Sequence, residues 1–197
     1  MTPRTVDPLS RHLLSEAYNN AWSNHRLLKA CAQLTQEEFE AKRTSFFPSI
    51  KATLNHILTV DWLYIDALER EMRGAEPHPN YLSFFERDEP CATCALVRIE
   101  QADADRRLID YCRQLKDEDM GRYVTILRTG AVQRDKRNRL LAHVFTHQTH
   151  HRGQVHAMLS GTDVAPPQLD EFYSQGEAGL RAQDFAELGW TEELIWK

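Results

Sequence analysis

The sequence predicts an all-α fold, a bundle of four long helices followed by a short tail. Apolar residues recur at three- and four-residue intervals along the long segments, which is the period of an amphipathic helix. The composition is 42% hydrophobic and 27% charged with 8 Gly and 8 Pro, so the chain can bury a core. A length of 197 residues is typical of one domain, and we expect residues 1–197 to form a single helical domain.

The first predicted long helix covers residues 8–31. Its apolar and aromatic residues repeat with helical spacing along the whole segment. Thr35 and Glu38 then have the spacing of a capping box, in which each side chain bonds the backbone of the other. The spacing predicts a short helical turn after the first helix.

The second long helix is expected to start near Pro48 or Ser49 and to run until Gly74, and a loop with some local structure is expected over 74–90. The third is predicted over 93–116. Its expected inward residues are Leu96, Ile99, Leu108, Ile109 and Leu115, and its mostly solvated ones are Glu100, Asp103, Asp105, Arg106 and Asp110.

A small β-hairpin is predicted before the fourth long helix. Two short β-prone segments, 123–127 and 131–133, flank the turn signal at Gly130. The fourth helix is predicted over 135–160, and a last short helix over 178–188. Four long helices with such a tail favour a bundle architecture.

Charge and hydropathy argue against two classes of partner. Lys and Arg total 24 against 29 for Asp and Glu, and a net charge of -5 attracts no phosphate backbone, so we expect no nucleic-acid partner. The basic run over 134–139 is interpreted as a solvated face. No apolar run approaches the roughly 18 to 20 residues of a membrane helix, and the N-terminus lacks the apolar core of a signal peptide. We expect a cytoplasmic protein without a membrane partner.

The four cysteines follow no dense framework, which suits thiols that are kept reduced. Cys91 and Cys94 form a lone CxxC at a predicted helix start, where a helix N-terminus would stabilise a thiolate. Without a second CxxC or a βαβ context, an ordinary reduced pair is favoured over a redox or metal site.

The fourth predicted helix carries five of the nine histidines, between residues 143 and 156. His147 and His151 are four positions apart, so they lie on one face and can point two imidazoles at one ion. The same face continues through Leu140, Val144, Val155 and Met158. We therefore expect the pair to face the bundle interior. Taken alone, a surface pair or a hydrogen-bonded structural pair explains this spacing as well as a metal site does.

His56 supplies a third imidazole from the second predicted long helix. Its helical neighbours Ala52, Val60 and Leu63 are uncharged, so it also belongs to an inner face. A lone histidine there is more often a satisfied core residue. If the fourth helix packs beside it and presents His147 and His151, the three imidazoles supply three ligand nitrogens. Helical proteins build metal sites in the cores of such bundles.

Two other histidines compete for the site. His143 precedes His147 by one turn, so the two form a pair with the same spacing as His147 and His151. His150 is rotated about 100° from His151 and is interpreted as a supporting or surface group. Spacing alone leaves the choice between the two pairs open.

Four segments resemble one known family. Leu54-Asn55-His56 and the run His147-Gln148-Thr149-His150-His151-Arg152-Gly153-Gln154 are similar to motifs of the DinB/YfiT-like family of metalloenzymes. Segments 18–24 and 166–170 also resemble that family, so the likeness covers most of the chain. The histidine-rich run is the specific motif among them.

The resemblance implies a four-helix bundle in up-down-down-up order. It also implies a divalent metal held by three histidines, which match His56, His147 and His151 of this chain. Homodimers are common in the family, so a homodimer is expected. The implied chemistry is either hydrolase-like or the transfer of a low-molecular-weight thiol to an electrophilic small molecule.

Three neutral imidazoles leave at least one coordination position open, as in catalytic zinc sites, and both zinc and nickel accept imidazole. Gln148 stands where the zinc-protease motif needs a glutamate base, so a protease is disfavoured. The leading hypothesis is a metal-dependent enzyme with a small-molecule substrate, and a thiol is one candidate for that substrate. The alternative is a non-catalytic metal-binding or stress-response protein. A fourth protein ligand to the metal would favour this alternative, because it would close the site.

Overall fold

The computed structural model describes residues 7–196, in which four long helices form the bundle. These are α1 (Pro8–Cys31), α3 (Ile50–Met72), α4 (Cys94–Arg113) and α5 (Arg137–Leu159). The shorter elements are α2 (Gln36–Glu40), β1 (Tyr123–Arg128), β2 (Ala131–Lys136), α6 (Ala178–Leu188), α7 (Glu192–Trp196) and 3₁₀ turns at Tyr81–Phe85, Asp117–Asp119 and Gln175–Glu177. No helix within this range is long and apolar enough to cross a membrane.

Local capping sets several of the helix boundaries. The predicted capping box is present, with Thr35 and Glu38 each bonding the other's backbone N–H. Ser49 caps α3 by accepting a hydrogen bond from a backbone N–H, so the helix begins after it and Pro48 lies outside the helix. Thr93 caps α4 in the same way. The helix starts therefore follow the side chains that satisfy free N–H groups.

The predicted hairpin is confirmed, but its second strand is longer than expected. β1 and β2 pair antiparallel, and Asp135 and Lys136 still pair with residues of β1. The helix α5 therefore starts at Arg137 and not at Asp135. Gly130 has a φ of +71° in the connecting turn, a conformation that a residue without a Cβ adopts at little cost.

Contacts between neighbouring helices fix their directions. Between α3 and α4, Asn55 bonds Cys91 just before the start of α4, and Glu69 bonds Arg107. Between α3 and α5, the pairs are His56–His147 and Glu71–Arg137. Between α1 and α4, they are Leu28–Cys94 and Tyr18–Arg113. The α3–α4 pairs join start to start and end to end, so these helices run parallel. The other pairs join start to end. The order is up-down-down-up, as the family resemblance implied.

A ring of buried polar side chains, the polar ring, joins all four long helices. Its members are Asn20 and Asn24 of α1, Asp61 of α3, Gln101 and Asp105 of α4, and Gln148 and Arg152 of α5. None of them is more than 6% exposed. Buried polar groups are costly unless they are hydrogen-bonded, so these residues constrain how the helices face each other.

Arg152 is the cation of the polar ring. Its Nη1 atom donates to the side-chain oxygens of Asn20, Asn24 and Gln148, at 3.1 Å for Asn24 and 3.0 Å for Gln148. Each of these amides turns its nitrogen away from the cation and toward a carboxylate. The guanidinium is thereby linked to the acidic residues through amides.

Two carboxylates complete the polar ring. Asp105 accepts from Asn20 and Asn24, while Asp61 Oδ2 accepts from Gln148. Gln101 Nε2 donates to both, at 2.8 Å to Asp61 and 3.2 Å to Asp105. The chain of hydrogen bonds therefore closes on itself.

The polar ring corrects the expected orientation of α4. Asp105 was expected to be solvated and is buried, whereas Leu96 and Ile99 were expected inside and are 45% and 65% exposed. Gln101 and Asp105 are one turn apart and bond inward, so α4 is rotated to place them inside. Leu96 and Ile99 lie on roughly the opposite face of the helix, so the same rotation carries them to the surface.

The expectation that the basic run over 134–139 is a solvated face is wrong at Arg137. This residue is 1% exposed and forms an ion pair with Glu71 of α3. Its guanidinium carbon also lies 6.0 Å from the ring centre of Tyr111. Its position at the first turn of α5 places it between the helices and under the hairpin.

Burial, together with the nearby Asp105, raises the pKa of Asp61 to about 8. Burial also raises the pKa of Asp105 to about 6. Because Asp61 holds a proton more tightly in the folded than in the unfolded chain, its contribution to stability is lost as pH rises through the folded pKa. Between about pH 6.5 and pH 8, the free energy of unfolding of metal-free wild-type protein should fall as Asp61 loses its proton. In Asp61→Asn this decrease should be smaller by about 2 kcal/mol.

The measurement is urea unfolding of both proteins at several pH values across that window. Asp103→Asn, a change of an exposed carboxylate on α4, is the matched control and should keep the wild-type dependence on pH. Equal slopes for Asp61→Asn and the wild type would contradict a protonated Asp61.

Candidate metal centre

The structure brings three of the predicted residues together. One ligand atom each from His56 on α3 and from His147 and His151 on α5 lie within 4.8 Å of one another. The Nε2 atoms of His56 and His147 are 3.0 Å apart. The His151 ring centre lies 4.7 Å from that of His56 and 4.4 Å from that of His147. Residues 91 positions apart in sequence thus share one small site.

The polar ring explains why the two histidines of α5 point toward α3. Each is followed directly by a member of the ring, His147 by Gln148 and His151 by Arg152. Hydrogen bonds to other helices fix both in the interior, from Gln148 to Asp61 of α3 and from Arg152 to Asn20 and Asn24 of α1. With α5 held in this rotation, the neighbouring face carries both imidazoles to His56 on α3.

Burial keeps the three imidazoles neutral. Burial, together with the neighbouring His151, lowers the pKa of His56 to about 4. Burial and the adjacent histidines lower the pKa of His147 to about 3, and burial lowers that of His151 as well. Neutral imidazole is the form that binds a metal ion.

One imidazole has a defined orientation. Nδ1 of His151 lies 2.8 Å from Oε1 of Gln154, and an amide oxygen only accepts, so Nδ1 carries the proton. This leaves Nε2 of His151 with a free lone pair, as in histidines that ligate metals. In the described part of the chain, Nδ1 of His147 is buried without a hydrogen-bond partner. Protein groups alone therefore do not satisfy the hydrogen-bonding capacity of the His147 ring.

The sequence profile of the DinB family matches residues 9–184, which include the three histidines and the whole polar ring. The chain belongs to the DinB family. A crystal structure of a DinB-like protein from Bacillus cereus ATCC 10987 is similar in fold, with a TM-score of 0.60 and 14% sequence identity. The similarity covers 79% of this chain and 94% of that one. No curated protein matches the sequence.

The other two candidates of this DinB chain lie beside the site. His143 is exposed, with its ring centre 5.2 Å from Tyr64 and 6.1 Å from His147. His150 is also exposed and packs edge-on against His151 at 4.8 Å. Neither is in the cluster of three ligand atoms, which groups His147 with His151 and not with His143.

Gln148 and the CxxC pair take no part in the histidine cluster. Gln148 is fully buried within the polar ring and bonds Asp61, so it does not reach the site. Its side-chain amide also cannot act as a base. Cys91 and Cys94 are free thiols, and burial raises the pKa of both, that of Cys94 to about 11. These raised values agree with an ordinary reduced pair.

A second group of possible ligands belongs to an ion-pair cluster. Ligand atoms of His25, Asp184 and Glu187 also lie within 4.8 Å of one another. Two cations already neutralise the carboxylates, since Arg26 donates to Asp184 and Lys29 to Glu187. The charges in this cluster are paired without an ion.

Two residues at the DinB site were missed from the sequence. Gln154 follows His151 by three positions, a helical spacing that would have indicated its contact. Phe47 packs against the rings of His56 and His151, with centroid distances of 4.3 Å and 5.6 Å. Phe47 lies in the loop before α3, and no local pattern relates it to α5.

The lowered pKa values predict that His56 and His147 stay neutral in metal-free protein at about pH 5.5, where an ordinary histidine is mostly charged. The ring nitrogens can be followed by NMR during a pH titration, with His56→Gln and His147→Gln identifying the signals. Titration of either ring near pH 6.5 would show that the site is more hydrated than its burial indicates.

Proposed function

We propose that the protein is a metal-dependent enzyme of the DinB family. In this proposal His56, His147 and His151 hold one divalent ion, zinc or nickel, and a small molecule reacts there. The reaction is either hydrolase-like or the transfer of a low-molecular-weight thiol. The observation that carries the proposal is the convergence of three neutral imidazoles from two distant segments, with ligand atoms within 4.8 Å.

The donor set fits such an ion. Imidazole nitrogen suits both zinc and nickel, so the ligands do not choose between them. The proton on Nδ1 of His151, which Gln154 accepts, is expected of a histidine that ligates through Nε2. Nδ1 of His147 is buried without a partner in the described residues, so protein groups alone do not satisfy this ring. When bound, the ion would supply Lewis acidity that polarises an oxygen or sulfur atom of the substrate.

The number of protein ligands favours catalysis over a structural role. Within residues 7–196, no fourth His, Cys, Asp or Glu contributes a ligand atom to this cluster. Structural zinc sites are closed by four protein ligands, whereas catalytic sites leave a position for water or substrate. Three neutral imidazoles also leave the charge of the ion uncompensated, which favours a thiolate or another anionic group as the next ligand.

The surrounding residues limit the chemistry. Gln148 is buried in the polar ring, so the residue after His147 does not serve as the general base of a protease. Gln154 holds the proton on Nδ1 of His151 and so directs Nε2 toward the site. The rings of His56 and His151 are shielded on one side by Phe47. These features support a small substrate that reaches a partly enclosed centre.

The proposal predicts about one zinc or nickel ion per chain after loading and desalting. His147→Ala or His151→Ala should lose most of it, because removal of a direct ligand costs more than the 10- to 100-fold typical of a supporting partner. His150→Ala is the matched control on the same helix and should retain the metal. Elemental analysis measures the content. Full retention in both ligand variants would disprove the assignment.

A second prediction isolates His56. A metal that joins α3 to α5 binds the folded chain alone, so it raises the thermal midpoint. At a free-metal concentration 100 times the dissociation constant, the free energy of unfolding increases by roughly 2.7 kcal/mol. His56→Ala leaves only the pair on α5, so the gain should fall sharply. The thermal shift between chelated and metal-saturated samples is compared for both proteins. An equal shift would show that His56 is a core histidine only.

A further inference from the structure

Two consecutive aromatic residues lie at the edge of the histidine cluster. Phe47 is half-buried, and its ring is tilted by 33° over that of His56 at 4.3 Å. Phe46 packs edge-on against Phe47 at 5.0 Å and is 79% exposed. The two rings form a continuous apolar surface from the cluster to solvent.

The loop that carries these rings is held at its base. The backbone N–H of Arg43 donates to the carbonyl of Pro48 at 2.8 Å, which closes the loop around Phe46 and Phe47. The Arg43 guanidinium also donates to the carbonyls of Glu38 and Ala41, at 2.7 Å and 2.9 Å. Anchored this way, the loop presents both rings beside the imidazoles.

The position of Phe46 is unfavourable for packing alone. A phenyl ring that stays 79% exposed gives up most of the free energy it would gain by burial. Within residues 7–196 its ring contact is with Phe47, which itself covers two of the three imidazoles. A molecule whose reacting group reached the cluster would pass over these rings, and an apolar substituent on it would cover them.

We propose that Phe46 and Phe47 form an apolar wall of the substrate site. The wall selects molecules that carry an alkyl or aryl group next to the atom that binds the metal. Phe47 holds the wall against His56 and His151, and Phe46 extends it outward. This inference rests on the proposed function, because it requires an ion at the three histidines.

The test uses full-length protein loaded with cobalt, whose visible absorption reports ligand binding at the metal. Acetohydroxamic and benzohydroxamic acids are the probes, since they share a metal-binding group and differ in their apolar substituent. The quantity measured is the ratio of their dissociation constants. Comparing that ratio between variants cancels the intrinsic difference of the two probes for cobalt.

We expect the preference for the aryl probe to fall about tenfold in Phe46→Ser, as when contact with part of one aromatic ring is lost. Phe46→Leu should keep most of the preference. Ile99→Ser is the matched control, because Ile99 is 65% exposed on α4. It should keep the wild-type ratio.

The outcomes separate the two proposals. Failure to take up zinc, nickel and cobalt with the three histidines intact would overturn the proposed function, and the apolar wall with it. Cobalt uptake with the same probe ratio in Phe46→Ser as in the wild type would overturn only the wall. A loss of preference in Phe46→Ser with an unchanged ratio in Ile99→Ser would support it.

Discussion

The polar ring is the interaction on which the rest of the structure depends. It links α1, α3, α4 and α5 through one guanidinium, two carboxylates and four amides, all removed from water. Side chains at these positions have few ways to satisfy every donor and acceptor, so the hydrogen bonds select one rotation and one register for each helix. Apolar contacts are less directional and tolerate alternatives more readily. The polar ring therefore specifies the arrangement of the bundle.

Charge balance within the polar ring follows from the same chemistry. Burial lowers the pKa of Arg152 to about 10 and raises those of Asp61 and Asp105, because each charged form loses hydration. With Asp61 protonated, one cation faces one anion and no net charge is buried. Three amides carry the interaction between them, since Arg152 donates to the oxygens of Asn20, Asn24 and Gln148, and the nitrogen of each donates to a carboxylate.

The candidate metal centre inherits its geometry from this arrangement. The polar ring and the ion pair between Glu71 and Arg137 hold α3 against α5 without help from an ion. His56, His147 and His151 are therefore brought together in the folded chain before any ligand binds. A preorganised site loses less conformational freedom on binding, which favours affinity. Phe46 and Phe47, in the loop before α3, add an apolar surface beside the polar imidazoles.

The sequence by itself determined what local spacing controls. Helical periodicity and capping residues predicted the long helices to within a few residues, and the four-residue spacing of His147 and His151 predicted their common face. The uncharged helical neighbours of His56 indicated it as a third imidazole, and the resemblance to the DinB family favoured the same set of three. These signals succeed because a helix places neighbours three and four apart by its own geometry.

Only the tertiary structure decided which polar residues are inside. Asp105 and Arg137 are buried because their partners lie on other helices, whereas Ile99 is exposed because the same constraint rotates α4. Phe47 meets His151 although more than 100 residues separate them. A hydropathy pattern assigns every carboxylate and guanidinium to the surface, because these groups are strongly hydrated. The pattern contains no information on a partner that is distant in sequence. The free energy of burying such a group depends on that partner, which exists only once the helices have packed.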